Sequence, residues 1–211
     1  MAAPKSSGNT SSAWERAIDD PIARFRQLLD EARAVPRDRL PEPTAFALGT
    51  VDEEGRPSVR IVLLKAVDDS GFVFYTNFRS RKGRELLAHP DAAMCFHWQP
   101  LEIQVRAEGR AEPVREAEAD AYFASRARGS QIGAWASQQS EPMASPGDLE
   151  ARVAEIERRY AGQSVPRPPH WSGFRIVPRR IEFWKNMPSR LHVRQRYTHG
   201  ESGWTVERLY P

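Results

Sequence analysis

Four cations crowd the stretch YTNFRSRKGRELL, Tyr75 to Leu87: Arg79, Arg81, Lys82 and Arg84, with Thr76 and Ser80 among them. They fall where an apolar run gives way to a helical one. A helix start offers free backbone N–H groups and the positive end of the dipole, and Arg or Lys beside it adds charge-assisted hydrogen bonds. That combination holds phosphate. Ser80, Arg81 and Lys82 lie at such a start, and the plainer alternative is a solvated basic turn.

Two further clusters have the same chemistry. In AYFASRARGSQ, a continuous helix places Tyr122 and Arg126 on one face at i, i+4, with Ser130 just beyond, which makes a second anion clamp; a surface helix with a snorkelling arginine is the alternative. In RLHVRQRY, strand alternation sends Arg190, His192, Arg194 and Arg196 to one face and Leu191, Val193 and Tyr197 to the other. So dense a cationic face suits an anion or a polar ligand, or else an edge strand blunted by charge. RIVLLK adds Arg60 and Lys65, whose opposite parity requires a bulge or an extended ligand. Three separate anion-capable clusters suggest two phosphates, one on a cofactor and one on a substrate.

Other site types are set aside. The chain contains no GxGxxG, P-loop or GxSxG pattern. Its five histidines lack ligand spacing and its one cysteine cannot build a zinc site, so no metal is expected. Cys95, in the apolar run AAMCFHW, reads as an inert core thiol, and a lone cysteine suits a reduced, cytoplasmic compartment.

The elements that must position these residues are short strands joined by turns. DDPIARFRQLLDEARAV carries helix-start marks, with Asp19 or Asp20 as cap and Pro21 in the first turn. TAFALGTVDEEGRPSVRIVLLKAV predicts two strands around an Asp52–Gly55 turn, and FVFYTN a third. A helix from about Ser80 to His89 follows, capped by Ser80 and halted by Pro90. AAMCFHW and LEIQVRAEGRAEPV predict two more strands. The middle is helical, breaking at Gly129 and resuming in LEARVAEIERRYA, where Leu149, Val153, Ile156 and Tyr160 form a packing stripe. GFRIV, RIEFW, RLHVRQRY and WTVERLY return to strand. The expected fold is mainly β with peripheral helices (α+β), a closed or nearly closed barrel. Residues 1–14 read as a disordered tail and 15–211 as a single domain.

Forty per cent of the 211 residues are hydrophobic, enough for a substantial core, and no run reaches the roughly 18 apolar residues of a membrane span. The net charge of +3 makes no polycation, and the tryptophans sit in apolar runs rather than among exposed cations. Neither a membrane nor a nucleic-acid partner is expected.

In order along the chain, RIVLLK, GFVFYTN, SRKGREL, LEIQV, YFASRARGSQIGAWASQQS, SGFRI, IEFW and RLH followed by Arg194 resemble the pyridoxamine (pyridoxine) 5'-phosphate oxidases. The resemblance spans about residues 20–211. It implies an FMN-binding split β-barrel, a homodimer with FMN at the subunit interface, and oxidation of pyridoxamine or pyridoxine 5'-phosphate to pyridoxal 5'-phosphate by O2 with release of H2O2. The implied FMN contacts are Arg60, Ile61, Val62, Leu63, Leu64, Lys65, Tyr75, Thr76, Arg81, Lys82, Gln104, Gln139, Ser140, Trp184 and Arg194. The implied substrate contacts are Lys65, Tyr122, Arg126, Ser130, Arg190 and His192, of which Arg190 and His192 close over the substrate ring as the catalytic pair. Three features depart from the family pattern: no Arg-x-x-Tyr element near the N-terminus, KNMPS in place of a Gly-rich turn, and Val193 in place of an acidic residue. The alternatives are a same-fold flavin oxidase for another substrate, of phenazine type, and a flavin- or pyridoxal-phosphate-binding protein without turnover.

Overall fold

The computed structural model describes Trp14 and residues 18–211. Of the expected tail, residues 1–14, the first thirteen lie outside the described residues. Trp14 packs against the main core.

The first helix, α1 (Pro21–Ala34), starts where Asp20 accepts from the backbone N–H groups of Ile22 and Ala23. Its apolar face, Ile22, Phe25, Leu28, Leu29 and Ala32, is buried. Phe25 meets Phe72 edge-on at 4.8 Å and Phe96 at 5.0 Å, which fixes the helix against the sheet.

Nine antiparallel strands form that sheet: β1 (Ala45–Val51), β2 (Pro57–Leu63), β3 (Ala66–Asp68), β4 (Gly71–Asn77), β5 (Asp91–Trp98), β6 (Ile103–Pro113), β7 (Trp171–Lys185), β8 (Val193–Gly200) and β9 (Gly203–Arg208). The order β2-β1-β5-β6-β7-β4-β3, with β8 and β9 branching from β7, curls the sheet into a split barrel. GFRIV and RIEFW, expected as two strands, are one. Pro178 falls in the gap between two partner strands on one edge of β7 and does not end the strand. Residues 72–77 of β4 pair with 171–176, and 193–198 of β8 pair with 180–185, so two strands share one rail end to end.

The opposite edge carries a bulge. Glu108 pairs with Arg180 and Gly109 with Pro178, leaving Arg179 as an extra residue on β7. The extra residue resets the alternation. Phe174 and Ile176 before it, and Ile181 and Phe183 after it, all enter the same core.

Helices α3 (Glu116–Ser125), α4 (Arg128–Ala136) and α5 (Pro146–Arg159) build a smaller core of Phe123, Ile132, Ala136, Ile156, Tyr160 and Val165 around Trp171, the first residue of β7. The expected stripe on α5 buries only Ile156 and Tyr160 deeply; Leu149 stays exposed. Among the described residues no helix is long and apolar enough to cross a membrane.

The remaining helix, α2 (Arg81–Ala88), is the one that the cationic stretch predicts, with Ser80 as its cap. Its Glu85 ties it to the β1–β2 hairpin. The carboxylate is 5% exposed and accepts from Ser58 Oγ at 2.8 Å, Arg60 Nη2 at 3.2 Å, Arg81 Nε at 2.8 Å, and the Thr50 hydroxyl. Burial alone would raise its pKa; the hydrogen bonds from Thr50, Ser58 and Arg81 and the charge of Arg60 outweigh burial and hold it at about 2. Gly83 lets the first turn of α2 fold back onto the end of β4: a Cβ there would lie 2.5 Å from the carbonyl oxygens of Asn77 and Phe78.

Two outcomes follow from this junction. A carboxylate depressed from about 4.5 to about 2 adds stability above pH 4.5 that is lost as the pH falls toward 2, about 3 kcal/mol in all. Glu85→Gln should therefore lower the urea midpoint at pH 7, and its deficit relative to the unchanged protein should shrink steadily between pH 4.5 and 2. Gly83→Ala should cost about 1–3 kcal/mol by overpacking, read as a drop of several degrees in thermal midpoint.

Candidate active site

A cavity of about 450 Å³ opens between the end of β2, the end of β4, α2 and the α3–α4 junction. That volume falls within the usual range for a small-molecule site, roughly 300–1,000 Å³. One wall begins with Lys82 in the first turn of α2. Its ammonium is buried and, among the described residues, has only neutral partners, Ser80 Oγ at 3.2 Å and Gln139 Oε1 at 3.3 Å. Burial, and secondarily the charge of Arg60, pushes its pKa down to about 8, with Glu85 opposing. Gln139 comes from the loop after α4, which Arg84 fastens to α2 through Glu141 at 2.8 Å. Thr76, buried at the end of β4, completes this side.

The facing wall is aromatic. Tyr75 and Tyr122 stack with centroids 3.9 Å apart and planes within 12°, and Trp171 lies parallel to Tyr75 at 5.5 Å. Gly173, opposite Tyr75 in the ladder, makes room for this ring, since a Cβ there would come within 2.8 Å of Tyr75 Cδ1. Burial pushes the Tyr75 phenol up to about 12, with the charge of Glu118 a lesser cause, and raises that of Tyr122, so both hydroxyls remain protonated donors.

Arg126 reaches the cavity by a different route from the one expected. Helix α3 ends at Ser125, and Arg126 turns to extended backbone (φ −75°, ψ 148°) before α4 begins at Arg128. The helical break thus lies at Arg126 and Ala127, while Gly129 sits inside α4 with open space around it. Tyr122, Arg126 and Ser130 still line one cavity, because the corner between the helices folds them together. The Arg126 guanidinium lies 4.7 Å above the Trp171 ring, and its Nη1 is buried with no hydrogen-bond partner among the described residues. Burial lowers its pKa.

Of the expected contacts, Ile61, Val62, Leu63, Lys65, Tyr75, Thr76, Lys82, Tyr122, Arg126, Ser130 and Gln139 line this cavity. Arg60 and Arg81 are turned onto Glu85, and Leu64 is buried in the main core. Ser140, held at φ +75°, borders the neighbouring hollow beside α5. Asn77, Gly133, Ala134, Ser137 and Trp171 line the cavity without having been singled out. The small residues Gly133 and Ala134, one turn after Ser130, carried a signal: a helix face without bulk leaves room for a ligand.

Gln104, Trp184, Arg190, His192 and Arg194 gather on the other branch of the sheet. Gln104, Trp184 and Arg194 stand in register across β6, β7 and β8. Trp184 meets the His192 ring at 4.6 Å, and His192 Nδ1 accepts from the Met187 N–H at 3.2 Å, which leaves the proton of a neutral ring on Nε2. The shared cationic face expected of Arg190, His192, Arg194 and Arg196 does not form. Strand β8 begins only at Val193, and Ser189 and Arg190 occupy left-handed backbone (φ +57° and +60°) in the turn before it. Arg194 pairs with Glu182 at 2.9 Å and Arg196 with Glu207 at 2.8 Å, so neither presents a free charge. Cys95 is half-buried rather than deep in the core, and burial raises its thiol pKa.

The geometry suits FMN. Lys82 is a desolvated cation without a carboxylate of its own, placed at a helix start where backbone N–H groups also face an anion. Arg126, which lines another wall and has no carboxylate partner among the described residues, provides a second anion-seeking group.

Comparison with known proteins agrees. Residues 32–185 match the pyridoxamine 5'-phosphate oxidase profile, and 171–211 match the pyridoxine 5'-phosphate oxidase C-terminal dimerisation region. The pyridoxine/pyridoxamine 5'-phosphate oxidase of Myxococcus xanthus strain DK1622 is 62% identical over 91% of this chain and 92% of its own; the one from Rhodospirillum rubrum is 57% identical over 91% and 96%. Among solved structures, PhzG from Burkholderia lata 383, in complex with tetrahydrophenazine-1-carboxylic acid, superposes with a TM-score of 0.87 at 33% identity, covering 94% of this chain and 96% of that one. The chain belongs to the pyridoxamine 5'-phosphate oxidase family, flavoprotein oxidoreductases of split-barrel fold that use FMN.

Proposed function

We propose that the protein oxidises pyridoxamine or pyridoxine 5'-phosphate to pyridoxal 5'-phosphate with bound FMN, taking O2 as acceptor and releasing H2O2 (with the amine, water enters and ammonia leaves), as a homodimer in the cytoplasm. One observation carries the reading: two desolvated cations, Lys82 and Arg126, face one cavity from different walls, and neither is neutralised by a carboxylate. A flavin nucleotide and a phosphorylated pyridine bring one phosphate each.

FMN supplies the two-electron redox chemistry when bound. The chain supplies binding and orientation. Lys82 and the first turn of α2 hold the cofactor's phosphate, and Ile61, Val62 and Leu63 border its ring. Tyr122, Arg126 and Ser130 hold the substrate's phosphate, with Lys65 at the mouth. Fixing the substrate by its phosphate places its reacting carbon against the flavin and removes the entropy cost of finding that pose.

Arg190 and His192, with Gln104, Trp184 and Arg194, are assigned to the partner subunit's side of the same site. Eleven residues separate Gly173, opposite Tyr75, from Trp184 along β7, roughly 35 Å of strand at about 3.3 Å per residue. No ligand of this class spans that contour within one chain. A two-fold pairing through the C-terminal dimerisation region brings one chain's cavity to the other chain's His192. His192, with its proton on Nε2, then donates to the substrate ring, and Arg190 closes beside it.

The test is oxygen uptake by FMN-loaded protein with each phosphate, alongside the flavin spectrum. Uptake with peroxide release supports the reading; a yellow protein inert toward both phosphates, or one active only on a reduced phenazine carboxylate, overturns it. Arg126→Ala should raise KM for the phosphorylated substrate about tenfold or more, since a charged hydrogen bond is worth about 1.5–3 kcal/mol. Lys82 predicts a pH effect on FMN affinity. A phosphate favours its charged form, so binding takes up a proton above about pH 8, and affinity should hold below pH 8 and fall as the pH rises from 8 to 9.5. Lys82→Met should weaken FMN binding by an order of magnitude and abolish that fall, measured by flavin fluorescence titration.

A further inference from the structure

Arg126 has no carboxylate within ion-pair distance among the described residues, yet it is held in place. Its neighbours are treated differently. Arg167 is paired with Asp120, and Arg175 with Asp68 and Glu118. Arg126 instead lies over an indole, its Cζ 4.7 Å from the Trp171 centroid and 5.7 Å from the Phe123 centroid.

The indole is itself immobile. Trp171 is 6% exposed, meets Phe123 edge-on at 5.1 Å, and lies parallel to Tyr75 and Tyr122. Its backbone is pinned at both ends: its N–H donates to the Pro168 carbonyl at 3.0 Å, and its carbonyl accepts from Arg167 Nη1 at 2.8 Å.

We propose that Trp171 is a positioning residue for the substrate's phosphate, acting through Arg126; the proposal rests on the reading under Proposed function. A carboxylate in its place would orient the guanidinium equally well but would cancel its charge, and an incoming dianion would have to displace it. An aromatic face holds a cation without cancelling it. Arg126 therefore stays fully charged and pre-oriented in the cavity lining. The selectivity for a phosphorylated over an unphosphorylated pyridine depends on the indole as well as on the arginine.

The experiment is a double-mutant cycle on FMN-loaded dimer, using Trp171→Leu, Trp171→Phe, Arg126→Ala and Trp171→Leu with Arg126→Ala. Each is assayed with pyridoxamine 5'-phosphate and with unphosphorylated pyridoxamine; circular dichroism and flavin content check folding. Trp171→Leu should raise KM for the phosphate about tenfold with kcat within about twofold, leave kcat/KM for the unphosphorylated amine unchanged, and add nothing in the Arg126→Ala background. Trp171→Phe should recover most of the loss. Equal losses on both substrates, an undiminished effect in the Arg126→Ala background, or no change in KM overturns the proposal. Should Trp171→Leu not fold, Trp171→Phe carries the test with a smaller KM rise of about threefold, absent when Trp171→Phe is combined with Arg126→Ala. If the unchanged protein turns over neither phosphate, the functional reading fails by itself. The clamp is then read by calorimetric titration of the same variants with inorganic phosphate: a Trp171→Leu weakening of about tenfold that needs Arg126 upholds it, and an unchanged affinity or no binding overturns it.

Discussion

A carboxylate with almost no solvent stays ionised only when donors replace the water it has lost. Glu85 meets that condition with two hydroxyls and two guanidinium groups drawn from β1, β2 and α2. The arrangement joins the helix carrying the cationic stretch to the hairpin carrying RIVLLK. It also sorts the cations. Arg60 and Arg81 are satisfied by Glu85, while Lys82, one residue along the helix, is aimed the other way and remains uncompensated. The cavity's charge at this end is set by which neighbours Glu85 has already neutralised.

The same sorting recurs across the cavity, by other means. Arg167 and Arg175 are spoken for by acids, and Arg126 rests on an indole instead. A protein with 31 cations and 28 acids presents few unneutralised charges in its interior, and here two of them share one cavity. Net charge says nothing of this; position does.

Local rules made much of this legible. Asp20 and Ser80 were readable as caps, the Asp52–Gly55 turn as a hairpin, and β1 and β5 as strands. Three features were not, each for a definite reason. Glycine is the stronger helix breaker, so Gly129 drew the boundary that Arg126 makes by adopting an extended ψ. Proline reads as a strand end, but Pro178 sits where β4 stops and β8 has not begun, so its missing N–H costs no ladder bond. The left-handed Ser189 and Arg190 carry no glycine or asparagine to announce them, and alternation was carried three residues too far, over Arg190, Leu191 and His192. The role of Trp171 lay beyond local reading altogether, because it depends on an arginine 45 positions earlier in the chain.

Arg179 has a consequence for how this chain can vary. As the supernumerary residue on β7 it shifts the phase between the two leaves that the strand supports, so that Phe174 and Ile176 face inward at even numbers and Ile181 and Phe183 at odd ones. Replacing Arg179 by another polar residue leaves that phase alone. Deleting it, or duplicating it, would turn one leaf inside out and send its aromatic side chains into water. Across descendants of this sequence, that point on the strand should tolerate spelling changes freely and length changes hardly at all.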